Sequence, residues 1–189
     1  MSVEAEHQSA DVDTHHIEGY ARHHHAAFSM PLITQIEPNF WQGGCRDRVS
    51  LGAHFKHVIS LYPWERYKTE KPLDSFTEVR LFDSHDMPDR EQIIALAIWV
   101  NVCRRLGPTL VHCQAGLNRS GLIAGTALIL SGMDPKAAIE KLRASRSPAV
   151  LCNSSYERFL LEFHAPPVED AITKAIDDEI VRRVYEDVR

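Results

Sequence analysis

The sequence predicts a single α/β domain on three observations. Thr109-Leu110-Val111-His112 is a short β-branched, apolar run that reads as a buried strand. A tight loop separates it from Leu122-Ile123-Ala124-Gly125-Thr126-Ala127-Leu128-Ile129-Leu130, which reads as a buried helix. Other short apolar runs alternate with helix-period segments along the chain. Its 189 residues, 44% hydrophobic and 25% charged, suit one globular unit with a sizeable core.

In chain order, residues 1–30 hold His7, His15, His16, His23, His24 and His25 without apolar periodicity. They read as a flexible or loosely docked His-rich leader. Imidazoles are good metal ligands, but no metal site is assigned. The domain proper spans 31–165. Leu32-Ile33-Thr34-Gln35-Ile36 alternates like a strand, Glu37-Pro38-Asn39 is a turn, and Phe40-Trp41-Gln42 is a second strand stopped by Gly43-Gly44. Trp41 suits core packing. Arg46 to Phe55 reads as a short helix and His57-Val58-Ile59-Ser60-Leu61 as a core strand. Tyr62 to Tyr67 is a loop with three aromatics.

Thr77 to Phe82 alternates polar and apolar, then enters the acidic loop Asp83-Ser84-His85-Asp86-Met87-Pro88-Asp89. Asp89 suits the N-cap of a long helix from Arg90 to Leu106, ended by Gly107-Pro108. Cys103 on it reads as a buried small hydrophobe. The segment from Ser120 to Leu130 is apolar all round, so it is central. Asp134-Pro135 opens another helix as N-cap and N1, and Tyr156 to Leu160 begins the last one of the domain. Beyond Pro166-Pro167, residues 166–189 space Val, Ala and Ile about every fourth position. That predicts an amphipathic helix, packed on its own domain or mediating dimerisation.

A net charge of −5 argues against a broad polyanion-binding surface. Four cysteines in a chain this long make no disulfide framework. No N-terminal segment resembles a signal peptide, and no apolar run approaches the ~18 residues of a membrane span. The expectation is a soluble, cytoplasmic protein with no membrane partner.

The chemistry lies between Cys113 and Arg119. With only five residues between them, the loop must curl so that backbone N–H groups face inward near a helix N-terminus, which makes an anion site. Arg119 adds a planar fork suited to two phosphate oxygens. Gln114, Ala115, Gly116, Leu117 and Asn118 complete the phosphate-binding run. A thiol of ordinary pKa ~8.5 can fall to roughly 3.5–7.5 at such a place, so Cys113 is expected as a thiolate nucleophile. The Ser120 hydroxyl can donate to its sulfur.

His112-Cys113, five residues, then Arg119-Ser120-Gly121 resembles the signature loop of the cysteine-dependent protein tyrosine phosphatase superfamily, in its small (atypical) dual-specificity branch. The resemblance covers roughly residues 32–165 and includes Pro38 to Gly44, similar to that branch's opening hairpin. It implies a central, mostly parallel sheet flanked by helices, and a cysteinyl-phosphate intermediate formed without metal or other cofactor. His112 would support the loop. In such relatives the Tyr62–Tyr67 region often shapes the pocket rim. An arginine lies near the pocket and an asparagine ties the loop backbone, which places those parts on Arg146 and Asn153. Arg146 is then either a second basic contact for substrate or a surface ion pair.

A departing alkoxide or phenoxide needs a proton, and a nearby carboxylic acid can supply it, typically worth ~10²–10⁴ in rate. In the related phosphatases this acid follows a strand and precedes the cysteine by about thirty residues. Asp83 lies 30 residues before Cys113, Asp86 27 and Asp89 24. Asp83 is therefore preferred and Asp86 is the alternative. Pro88 stands five residues after Asp83, one more than the family pattern.

The loop has no Lys or Arg between Cys113 and Arg119, which disfavours phosphoinositides. A phosphoprotein bearing phosphotyrosine, and also phosphoserine or phosphothreonine, is the expected substrate, with the preference among them open. Two alternatives stand. Gly116-Leu117-Asn118-Arg119-Ser120-Gly121 is similar to the Gly-Leu-Asn-Arg-Thr-Gly of metal-independent RNA 5′-triphosphatases, so an RNA 5′-end is the rival substrate. The Gln114-Ala115 pair and the net charge argue against it. A non-catalytic phosphate-binding module is the other, disfavoured because Cys113 and Arg119 are both retained. Cys45 and Cys152 are candidates to trap an oxidised Cys113 as a disulfide.

Overall fold

In the computed structural model, residues 15–165 are described. Residues 1–14 of the leader and the helix expected over 166–189 lie outside them. A five-stranded sheet forms the centre, in the order β3 (Ile33–Glu37), β4 (Phe40–Gly43), β9 (Thr109–His112), β6 (His57–Ser60) and β8 (Ser75–Glu78). The β3–β4 pair is antiparallel and the other pairs are parallel. The sheet is thus mostly parallel, as the resemblance implied. β9 is the middle strand and all four of its residues are buried. Buried parallel strands read as continuous apolar runs, which is why Leu110 and Val111 stand side by side.

Among the described residues, four helices flank the sheet: α1 (Arg90–Leu106), α2 (Arg119–Leu130), α3 (Pro135–Ser145) and α4 (Ser154–Leu161). Their ends follow the local chemistry. Asp89 caps α1 by accepting from Gln92 N at 2.9 Å, and Gly107 N–H closes it on Cys103 O. Asp134 caps α3 through Lys136 N and Ala137 N, with Pro135 in the first turn. Helix α2 is buried from Arg119 to Ile129 and lies against α1, α3 and α4 as well as β4 and β9. An element enclosed on every side holds its N-terminus in one place, and that end faces the Cys113 loop.

Two expectations are corrected. Residues 46–55 form no helix; Ser50–Leu51 (β5) pairs in parallel with Lys68–Thr69 (β7) as a separate ribbon. Arg46, Asp47, Arg48 and Ser50 leave too few apolar positions for a helix to bury.

The His-rich leader is also not loose from residue 16 onward. His16–Tyr20 (β1) and Ala27–Pro31 (β2) form an antiparallel hairpin. Ile17 and Met30 face each other across it and both are buried. The turn is closed by Ala21 N on Ala26 O, with His24 and His25 at positive φ. Ile17, Ala21 and Met30 are the buried apolar side chains of this hairpin, too few to register as a period in a histidine-rich sequence. No described helix is long and apolar enough to cross a membrane.

Ile123, fully buried in α2, gives a test of this central position. Ile123→Ala is expected to cost about 2–5 kcal/mol of stability in urea unfolding. A loss below ~1 kcal/mol would contradict a tightly enclosed α2.

Candidate active site

The parallel strands β4, β6, β8 and β9 run the same way, so the segments following them gather at one edge of the sheet. Ligand sites of open parallel sheets form at this carboxyl end. A cleft of about 730 Å³ opens there, with Cys113, Asn118 and Arg119 at its base and Asp83, Tyr62 and Trp64 around it. Hairpin residues Ile17 to Arg22 form a further wall.

The loop after β9 takes its shape from what its carbonyls do. Cys113 N–H still belongs to the sheet, donating to Gly43 O at 3.2 Å. Each following carbonyl is then held from outside the cup. Gln114 O accepts from Cys45 N at 2.9 Å and Leu117 O from Leu151 N at 3.3 Å. Ala115 O accepts from Arg146 Nη2 at 3.1 Å. Gly116 O accepts from Arg146 Nε at 2.8 Å and from Gln42 Nε2 at 3.0 Å. A trans peptide is planar, so the N–H across each bond points the opposite way. The N–H groups of Ala115, Gly116, Leu117 and Asn118 therefore turn toward the cup, where the N-terminus of α2 adds its positive end. Gly116 sits at φ +74°, and a Cβ there would lie 2.3 Å from Gly43 C and 2.5 Å from Arg146 Nη2. Only glycine fits.

Cys113 is 2% exposed, and its Sγ lies 3.4 Å from Ser120 Oγ. Gln42 Nε2 donates to that same Oγ at 3.2 Å. With Gln42 filling an acceptor position, the hydroxyl proton of Ser120 is free to point at the sulfur. Arg119 Nη1 donates to Leu81 O at 3.3 Å, and its guanidinium carbon lies 5.1 Å from the centre of the Tyr62 ring. Its buried Nε has no protein partner. The side chain is thus aimed by protein contacts while part of its fork stays available to an anion.

The supporting residues separate clearly. Arg146 is neither a substrate contact nor a surface ion pair. It is 6% exposed and its donors are spent on Gly116 O, Ala115 O, Pro31 O, Leu32 O, Gln42 O and Thr34 Oγ1. Burial lowers its pKa to about 10, opposed by its electrostatic interaction with Cys113 and Tyr67, so it remains a cation near neutrality behind the loop. Asn153 N donates to Asn118 Oδ1 at 3.0 Å, while its side chain caps α4 through Ser155 N. Its Nδ2 reaches Asp83 Oδ1 at 3.1 Å and Ser84 O at 2.7 Å.

Asp83 lines the cleft and receives Asn118 Nδ2 on Oδ2 at 3.0 Å. Asp86 is exposed and does not line the cleft. Tyr62 and Trp64 stand at the cleft, their rings 4.9 Å apart, whereas Trp41 packs against Phe55. Among the described residues no group of three or more His, Cys, Asp or Glu is arranged to hold a metal ion.

The other cysteines are free thiols. Burial, then neighbouring Glu65 and Asp47, pushes Cys45 up to about 12; burial also raises Cys103 and Cys152. All three stay protonated near neutrality, which makes Cys45 and Cys152 slow to trap an oxidised partner. Gln42 and His23 are two site residues the sequence reading did not single out. A glutamine within an otherwise apolar strand was the available signal for the first; the second had none.

An α/β fold that sets a cysteine and an arginine on one curled loop, at the end of its middle strand, is that of the cysteine-dependent tyrosine phosphatase superfamily. The family model for the catalytic domain of dual specificity phosphatases matches residues 47–165, and the chain belongs to that family. A probable protein tyrosine phosphatase type IVA B of Dictyostelium discoideum is 44% identical over 55 residues, 29% of this chain and 32% of that protein. The match thus spans about a third of that relative's length. Human DUSP28 shares the fold, with a TM-score of 0.54 and 17% identity over 68% of this chain and 95% of that one. TpbA of Pseudomonas aeruginosa, solved in complex with pTyr, gives 0.54 and 18% over 78% and 91%.

His112 offers a check on the loop's surroundings. It is 1% exposed, its Nδ1 has no protein partner, and burial lowers its pKa from 6.5 to about 4. The unfolded chain takes up this proton first, so stability is lost as pH falls from 6.5 toward 4, by up to about 3 kcal/mol. Urea unfolding across that window should show a shallower pH dependence for His112→Gln than for wild type. Equal slopes would mean that His112 does not titrate as its burial requires.

Proposed function

We propose that the protein hydrolyses phosphomonoesters through a cysteinyl-phosphate, with phosphotyrosine-bearing proteins as preferred substrates and phosphoserine or phosphothreonine as secondary ones. The outward-held carbonyls of residues 114–117 carry this reading, because they leave four N–H groups and the Arg119 fork to receive a phosphate over Cys113. The Cys113 thiolate attacks phosphorus in line and the ester P–O bond breaks. Asp83, as the acid, protonates the departing oxygen. In the second step Asp83, now a carboxylate, takes a proton from water as that water attacks phosphorus. The P–S bond breaks, and the Ser120 hydroxyl stabilises the leaving thiolate. Asp83 takes precedence over Asp86 because only Asp83 faces the cleft. The aromatic faces of Tyr62 and Trp64 suit a phosphoaryl group. No metal or cofactor enters the scheme.

An RNA 5′-triphosphatase is less well supported. Glu18, Glu65 and Asp83 line the cleft together with Arg22, Arg46 and Arg119, which gives mixed charge in place of a cationic channel. The retained thiol and cytoplasmic residence belong together, since reducing compartments keep such a cysteine active. We include the β1–β2 hairpin in the catalytic unit.

Rapid quench with labelled para-nitrophenyl phosphate should trap phosphorus on Cys113. Cys113→Ser should abolish turnover yet still bind phosphate analogues. Absence of any adduct would remove the covalent route. Asp83→Asn should lower kcat/KM on phenyl phosphate by ~10²-fold or more, and far less on activated esters. If Asp86→Asn does this instead, the acid is misassigned. Activity on triphosphate-ended RNA above that on a phosphotyrosine peptide would favour the rival substrate.

A further inference from the structure

His23 lies on the turn of the β1–β2 hairpin, outside the segment matched by the family, and is only 6% exposed. Its Nε2 is 3.0 Å from Asp83 Oδ1, and its ring meets His85 edge-on at 4.9 Å. A buried imidazole aimed at a carboxylate of the cleft calls for a reason. We propose that His23 is a positioning residue for Asp83, and that it fixes which carboxylate oxygen carries the transferred proton. This inference rests on Asp83 being the acid.

The hydrogen bonds define the roles. Asn153 Nδ2 also stands 3.3 Å from His23 Nε2, but one ring nitrogen cannot accept from the amide while donating to the carboxylate. The two amide hydrogens of Asn153 have better acceptors in Asp83 Oδ1 and Ser84 O. An ionised carboxylate only accepts, so Nε2 carries hydrogen and donates to Oδ1. That oxygen then receives two donors, His23 and Asn153, which fill its two acceptor positions. Oδ2 receives only Asn118 and keeps one position open. The proton given to the leaving group and recovered from water therefore rides on Oδ2, the oxygen beside the phosphate loop. Protonation there leaves the His23 bond to Oδ1 intact, so one arrangement serves both halves of the cycle without His23 changing its own proton.

The need for such a tether follows from where Asp83 sits. It belongs to an irregular loop between β8 and α1, with no strand or helix to set its side chain, and a misplacement of about 1 Å can cost ~10²-fold in rate. Asn118 and Asn153 hold it from the catalytic core; His23 holds it from the hairpin.

The test compares kcat/KM on phenyl phosphate, a poor leaving group, with para-nitrophenyl phosphate, a good one. His23→Ala should lower the first by ~10-fold and the second by less than ~2-fold, part of the full acid contribution. His23→Gln, which restores an N–H near the Nε2 position, should recover most of the loss. In an Asp83→Asn background His23→Ala should add nothing. His23→Leu keeps the bulk without the donor and stands in if the alanine variant does not fold. The proposal is overturned if the donor-free variants depress both substrates equally, change neither, or lower the rate further in the Asp83→Asn background. Should Asp83→Asn itself fail to discriminate between leaving groups, the acid assignment falls, and with it this inference. Discrimination by Asp83→Asn without discrimination by the His23 variants removes the inference alone.

Discussion

The direction in which four peptide carbonyls point is the constraint on which the rest of the molecule depends. An isolated curled loop has no reason to keep its N–H groups on one side. Here Cys45 N, Gln42 Nε2, Leu151 N and above all Arg146 draw the oxygens of residues 114–117 outward. Peptide planarity then orients the donors toward the cup. The donors come from two stretches of chain, residues 42–45 and 146–151, so the loop is shaped only once β4 and the segment after α3 have assembled around it.

Arg146 shows how a buried charge can be tolerated without a carboxylate. Burying a guanidinium is costly, and burial does draw its pKa down to about 10. Five backbone carbonyls and a hydroxyl take its hydrogens. An acidic partner would have neutralised it; carbonyls satisfy its geometry while leaving its charge behind the Cys113–Arg119 loop. The same guanidinium ties β3, β4 and the start of the sheet to the loop, so structural support and electrostatic support come from one side chain.

The sheet, the helices and the Cys113–Arg119 loop were legible because each is written in neighbouring residues. Apolar runs mark β6 and β9, Asp89 and Asp134 announce their helices, and the cysteine and arginine stand a fixed interval apart. That Asp83 stands at the cleft was readable from its place between a strand and α1. What escaped depended on distant partners. Arg146 followed by Ser147-Pro148 looks like a surface turn, and only the six acceptors gathered from Pro31 to Gly116 reveal it as buried. The short ribbon of β5 and β7 replaced an expected helix because two residues from each of two loops carry no period. The hairpin of β1 and β2 was lost among histidines; of the described ones there only His23 is buried, by contact with Asp83 and His85 and not by its neighbours in sequence.

That hairpin also joins two properties that enzymes often vary separately. The segment that walls the cleft through Ile17 to Arg22 passes within one residue of the imidazole that touches Asp83. Remodelling it to admit a different target would shift the tether at the same time. On the proposed roles of Asp83 and His23, selectivity and turnover are mechanically linked here, and drift in this stretch must keep the imidazole in register or sacrifice catalysis while recognition changes.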